Sequence, residues 1–214
     1  MTSPVPTADA IAQAVFGPRL PVAAQYVELL AGDGIVWGVI GPRERDRLWD
    51  RHLVNCALLA ELLPVGARVV DVGSGAGLPG LALACVRPDL QVDLVESLAR
   101  RVEFLQLAVT SMGVDSQVRV VRGRAESKEV VDRVGESSWV TARAVAPLDR
   151  LAGWSLPLLR RGGQLLALKG ARSTAEATEH AAAVRRAGGE IEGVVACGVG
   201  IVPEPAQVIV VRRR

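Results

Sequence analysis

Ten consecutive residues carry the clearest chemistry in the chain: Asp71-Val72-Gly73-Ser74-Gly75-Ala76-Gly77-Leu78-Pro79-Gly80. They follow an apolar run and open a helical one. In that setting glycines let the backbone turn tightly and approach a ligand without Cβ clashes, and free amides at the helix start face the ligand. Two ligand classes compete here, beside a plain glycine-rich turn. Gly75, Gly77 and Gly80 satisfy G-x-G-x-x-G, the dinucleotide fingerprint. The same stretch reads D-x-G-x-G-x-G, with Asp71 ahead of the first glycine. A carboxylate is electrostatically poor beside a pyrophosphate and sensible beside the cationic amino-acid end and sulfonium of S-adenosylmethionine, which has no phosphate. The motif therefore favours the methyl donor over NAD.

Glu96 closes the next apolar run, 19 residues after Gly77. A carboxylate there can accept both ribose hydroxyls of either ligand, so it supports an adenosine-type ligand without choosing between them. Gly123-Arg124-Ala125-Glu126 follows a third apolar run; a backbone amide and a carboxylate there can bracket an adenine, although a surface turn reads the same way. Thr141-Ala142-Arg143-Ala144-Val145-Ala146-Pro147-Leu148 ends a fourth run. It contains neither Asn/Asp-Pro-Pro-Tyr/Phe, the arrangement for methylating exocyclic amines, nor a Pro-Cys pair for attacking a pyrimidine ring. An acceptor with a free lone pair, such as N(7) of guanine, fits that absence, because it has no proton to remove and alignment carries the catalysis. Arg143 is positioned to touch cofactor or phosphate, with a salt-bridged structural arginine as the alternative. Lys169, in Leu168-Lys169-Gly170, is one of only two lysines and can meet RNA phosphate or simply end a strand in solvent. Arg143 and Lys169 are the residues expected to position the acceptor.

These residues must be placed by elements that the pattern predicts. Residues up to about 63 read as helical, and Pro64 and Gly66 punctuate the chain. Beyond them, strands are predicted at 67–72, 91–96, 117–123, 138–144 and 163–170, with two more in Glu190–Gly200 and Ala206–Arg213. Helices are predicted at 78–86, 98–113, 148–160 and 174–188. Alternation of strand and helix predicts a doubly wound parallel sheet, and the hairpin-like last pair predicts an antiparallel strand at its end. The expected division is a helical extension over 1–63 packed on a single globular domain over 64–214.

Composition bounds the remaining possibilities. The 214 residues are 50% hydrophobic and 22% charged, with 25 Lys+Arg against 23 Asp+Glu. Such a chain builds one folded domain with a small appendage. Its net charge of +2 neither announces nor excludes nucleic acid. The longest uncharged stretch, Val72–Val86, contains four glycines and a proline and is too short to span a membrane. The first residues lack a basic leader, so no secretory signal is expected. Three scattered cysteines (Cys56, Cys85 and Cys197) and two distant histidines (His52 and His180) predict reduced buried thiols, no metal site and a cytoplasmic location.

In their order and separation, the glycine turn with Leu78-Pro79-Gly80, Glu96 with Arg100-Arg101, Gly123-Arg124-Ala125-Glu126, Arg143-Ala144, Leu168-Lys169-Gly170 and the upstream Leu48-Trp49-Asp50-Arg51-His52-Leu53 resemble the RsmG (GidB) family. The resemblance spans about residues 7–211. It implies a Rossmann-like class I methyltransferase with a mainly parallel seven-stranded sheet and one antiparallel strand. The implied activity is methyl transfer from S-adenosylmethionine to N(7) of a guanine in 16S ribosomal RNA, within small-subunit particles, by a monomer. Carried over, Asp71, Gly73, Gly75, Leu78, Glu96, Ala125, Glu126 and Arg143 would hold the donor, and Arg51, His52, Arg101 and Lys169 would meet RNA. Where many members have Asp-Ser, this chain has Val54-Asn55, and Asn55 receives no catalytic role. Two other readings stand beside this one: a non-catalytic donor-binding assembly factor and an NAD-dependent oxidoreductase.

Overall fold

Seven apolar runs pair into one sheet: β1 (Arg68–Val72), β2 (Gln91–Glu96), β3 (Val118–Arg122), β4 (Ser137–Arg143), β5 (Leu159–Lys169), β6 (Gly189–Cys197) and β7 (Ala206–Arg213). The computed structural model describes residues 8–214. The leader reading and the first seven residues of the expected extension lie outside them. The strand order is β3-β2-β1-β4-β5-β7-β6. All pairings are parallel except those of β7, which runs antiparallel to both neighbours. Its Val208–Val211 core is buried, so it lies inside the sheet, while the largely exposed β6 takes the edge.

Helices cover both faces, as parallel strands require. On one face lie α1 (Ala8–Phe16), α2 (Leu20–Leu29), the short α3 (Asn55–Ala57), α4 (Gly80–Val86) and α5 (Ala99–Ser111). Phe16, Tyr26, Leu30 and Leu53 pack in one cluster with Leu81, Leu83 and Phe104, so the N-terminal helices share a core with the sheet. On the other face lie α6 (Lys128–Val134), α7 (Leu148–Ser155) and α8 (Ser173–Arg186), with Val130, Leu148, Leu151 and Val184 over Val70, Val72 and Val140.

Three local readings change. The predicted helix over 148–160 stops at Ser155, where Pro157 imposes a 3₁₀ turn at Leu156–Leu158, and β5 starts four residues earlier than expected. Helix α6 was not predicted; the Ser127 side chain caps it by accepting from Val130 N at 3.3 Å, and Val130 and Val134 anchor it. Residues 42–62, expected as regular helix, form 3₁₀ turns at Pro42–Arg47 and Leu58–Leu62 flanking a π-type stretch at Leu48–Val54 and α3.

Candidate active site

The chain reverses direction across the sheet between β1 and β4, and ligands bind outside the strand ends at such a switch point. A cavity of about 640 Å³ opens there. Its walls are the segments just past four strands: Val72–Ala76 after β1, Val95–Leu98 after β2, Gly123–Glu126 after β3 and Arg143–Val145 after β4. Of the residues expected to hold the donor, Gly73, Gly75, Leu78, Glu96, Ala125, Glu126 and Arg143 all line it; of those expected to meet RNA, His52 and Arg101 do.

Gly73 makes the turn possible. Its φ is +67°, and a Cβ there would lie 2.8 Å from Val145 Cγ1, so a side chain meets both backbone strain and the far wall. Its amide donates to Val95 O at 2.8 Å, tying the turn to β2. Across the cavity, Ala144 holds φ +53° without being glycine, a strained conformation in the wall itself.

Glu96 is buried, and its carboxylate organises two walls. Oε1 accepts from the amides of Ser97 (2.8 Å) and Leu98 (2.9 Å), and Oε2 accepts from Gly75 N at 3.0 Å. Arg101 Nη1 lies 3.7 Å from Oε2. A carboxylate has about four acceptor positions, so roughly one on Oε2 remains for a ligand hydroxyl. Both ribose hydroxyls were expected on this carboxylate, which in the structure already serves three amides.

Asp71 does not line the cavity. It is fully buried beneath the glycine turn, where Oδ2 accepts from Gly80 N (3.1 Å) and Oδ1 from Thr141 Oγ1 (3.2 Å). Strand alternation explains this: Val70 and Val72 face α6 and α7, so Asp71 faces α4. Burial pushes its carboxyl up to about 6, against the hydrogen bonds from Gly80 and Thr141 that pull it down. Its geometry is that of a residue shaping the turn.

Lys169 also lies away from the cavity. Its side chain is 11% exposed, and Nζ donates to Ala146 O (2.9 Å) and pairs with Glu176 Oε1 (2.7 Å), which in turn accepts from Leu148 N (3.0 Å). The ammonium pins the loop after β4 to α8. The expected contact with RNA phosphate or acceptor would require Nζ to leave these two partners. Arg51 does not line the cavity; its side chain is 57% exposed, with Nη1 3.8 Å from Glu44 Oε2.

Arg143 is held from the N-terminal segment. Nη1 donates to Cys56 Sγ (3.0 Å) and His52 O (3.4 Å); Nη2 donates to His52 Nδ1 (2.8 Å) and Arg51 O (3.3 Å). Both terminal nitrogens are thereby engaged, which leaves Nε–H of the five guanidinium hydrogens. His52 Nε2 in turn meets Glu44 Oε2 at 2.7 Å. Burial lowers the His52 pKa, assisted by Arg143 and opposed by Glu44, which favours the neutral ring. Burial also pushes the Cys56 thiol up to about 11, and it stays protonated under Arg143.

Sequence reasoning did not find Glu44, Cys56 or Tyr26, whose hydroxyl donates to Ala76 O at 2.7 Å. Nor did it find Trp154, which lines the cavity from α7. Tyr26 is the only tyrosine of the chain, a signal that could have singled it out. Among the described residues, no three His, Cys, Asp or Glu side chains cluster to hold a metal ion, and no helix is long and apolar enough to cross a membrane.

A family model described as rRNA small subunit methyltransferase G matches residues 19–202. The ribosomal RNA small subunit methyltransferase G of Salinispora arenicola is 56% identical over 214 residues, which covers 99% of this chain and 88% of that protein. Its namesake in Mycolicibacterium smegmatis is 51% identical over 210 residues, covering 98% and 88%. The solved mitomycin 7-O-methyltransferase MmcR superposes with a TM-score of 0.60 at 18% identity, over 97% of this chain and 71% of that one. Aeropyrum pernix fibrillarin, solved with natively bound S-adenosyl-L-methionine, gives 0.55 at 21% identity, over 75% and 74%. These two structural likenesses establish the fold.

Proposed function

The chain belongs to the GidB family of small-subunit ribosomal RNA methyltransferases, and from that premise we propose that it methylates N(7) of a guanine in 16S ribosomal RNA within small-subunit particles, as a cytoplasmic monomer. The enzyme uses S-adenosylmethionine. The fit of this donor rests on the open backbone at Gly73 and on the buried Glu96 carboxylate at the cavity wall. When bound, the donor supplies an electrophilic methyl on a sulfonium.

The residues of the chain bind and align. Gly73, Gly75 and Leu78 would bound the methionine and adenosine portions, Oε2 of Glu96 would accept a ribose hydroxyl, and Ala125 and Glu126 would sit at the adenine. Asp71 would act from beneath, by holding the turn. Arg143 would stand at the wall where donor and guanine meet, its Nε–H available to an acceptor oxygen. Arg101 and Arg124 at the rim, with the exposed Arg51, would meet RNA phosphate. The N-terminal extension would complete the wall through His52 and hold the glycine turn through Tyr26.

The observation that carries the acceptor assignment is the state of His52. Among the described residues it is the only imidazole in the cavity lining, which also holds the carboxylates of Glu96 and Glu126 but no cysteine, lysine or tyrosine. One ring nitrogen receives the Arg143 hydrogen, and the other gives its hydrogen to Glu44. Neither is free to take a proton from an acceptor. N(7) of guanine needs no deprotonation, so positioning suffices.

The test is incubation with methyl-labelled S-adenosylmethionine and small subunits from cells lacking the enzyme, followed by digestion to nucleosides. Label in 7-methylguanosine is the expected result. Label in another nucleoside, or none while donor binding is intact, overturns the assignment.

A further inference from the structure

We propose that Glu44 is a positioning residue for methyl transfer that acts through His52 on Arg143. The 3₁₀ turn Pro42–Arg47 brings its carboxylate to 2.7 Å from His52 Nε2, while the opposite ring nitrogen takes Arg143 Nη2 at 2.8 Å. A guanidinium can only donate, so Nδ1 must be the unprotonated nitrogen and Nε2 must carry the hydrogen. Glu44 accepts that hydrogen, and its carboxylate therefore selects the tautomer that Arg143 requires. The other tautomer would aim N–H at N–H and loosen Arg143 from the wall.

The charged groups facing His52 are Glu44, Arg143 and Arg51. The hydrogen bond from His52 holds the Glu44 carboxyl below its ordinary range. The other anchors of Arg143 come from the same segment: the carbonyls of Arg51 and His52 and the Cys56 thiol. Glu44 thus sets the first link of a chain ending at the wall between β4 and the N-terminal segment. The inference rests on the reading of Arg143 as a wall residue at the reacting groups.

The protein has two histidines, His52 and His180, so ¹⁵N-histidine NMR of the full chain resolves both rings. In the wild type, His52 should show the Nε2–H form at neutral pH. Glu44→Ala should disturb that form and lower kcat about tenfold or more with little change in donor Kd, since a misaimed wall group costs alignment rather than binding. Glu44→Gln keeps a carbonyl that can accept from Nε2–H and should restore both tautomer and most of the rate. Unchanged kcat in Glu44→Ala overturns the proposal. So does a lost rate with the wild-type tautomer retained, or a Glu44→Gln variant as slow as Glu44→Ala. If the wild type transfers no methyl to ribosomal RNA, the functional reading fails instead, and the His52 resonances still report whether Glu44 sets the tautomer.

Discussion

Tyr26, on α2, donates its hydroxyl to the carbonyl of Ala76 in the glycine turn at 2.7 Å, across 50 residues of chain. The ring is fully buried, and burial raises its pKa well above the ordinary tyrosine value, so the hydroxyl keeps its proton and remains a donor. The N-terminal helices therefore hold the turn that forms the cavity floor as well as covering the sheet. Tyr26→Phe keeps the ring and deletes the hydrogen bond. We expect a loss of about 1–3 kcal/mol, the cost of a buried carbonyl left without this donor, together with weaker donor binding. Urea melts and calorimetric titration with S-adenosylmethionine check this; a variant unchanged in both would separate the helices from the site.

Gly73→Ala tests the other side of the same turn. The added Cβ meets Val145 at 2.8 Å in a backbone at φ +67°, and a left-handed alanine alone costs roughly 1–2 kcal/mol. The rest of the core is untouched, so circular dichroism should show a folded protein while donor binding and methyl transfer collapse. Retained donor affinity would mean that the turn adapts and that Gly73 is not what opens the cavity.

How much of this was legible in the sequence depends on the range of the interaction. The parallel strands were readable as short apolar runs buried in the sheet, as in Arg68–Val72 and Gln91–Glu96, and β6 and β7 as a hairpin-like pair. The glycine turn was readable because it is contiguous. Helix α6 escaped because its seven residues, unlike the equally short apolar α4, carry four charges and bury only Val130 and Val134, and the irregular turns over 42–62 escaped because helical spacing does not distinguish 3₁₀ and π geometry from α. The partners of Arg143 lie 87 to 92 residues away, and no local pattern reports such a contact. Lys169 was visible as a rare lysine, but its partner Glu176 became a partner only when the chain turned from β5 into α8.

Lys169→Met separates the pinned lysine from a phosphate-binding one. A lysine on phosphate contributes about one unit to the slope of log affinity against log salt. With Nζ committed to Ala146 and Glu176, the variant should bind RNA with an unchanged salt slope. It should also lose kcat, because the loop carrying Ala144 and Val145 is no longer pinned. Filter binding across a salt series gives the slope. A slope reduced by about one would return Lys169 to the RNA interface.

Asp71 makes stability depend on pH in a direction unusual for a carboxylate. Its folded pKa, about 6, exceeds the unfolded value of 3.8. Between those values the folded state holds more protons at this group than the unfolded one, so its contribution to stability is greatest below pH 4, falls as pH rises to 6 and is level above. At 1.36 kcal/mol per unit the full swing is about 3 kcal/mol. Asp71→Asn can keep both partners, its amide oxygen accepting from Gly80 N and its amide nitrogen donating to Thr141 Oγ1, without a charge to bury. The variant should therefore gain on the wild type between pH 4 and 7, by an amount that isolates this carboxyl from every other titrating group. Urea melts of both proteins at matched pH give the difference directly. A difference that stays constant across the range would mean that Asp71 ionises as easily in the folded chain as in the unfolded one, and that burial beneath the glycine turn imposes no cost on its charge.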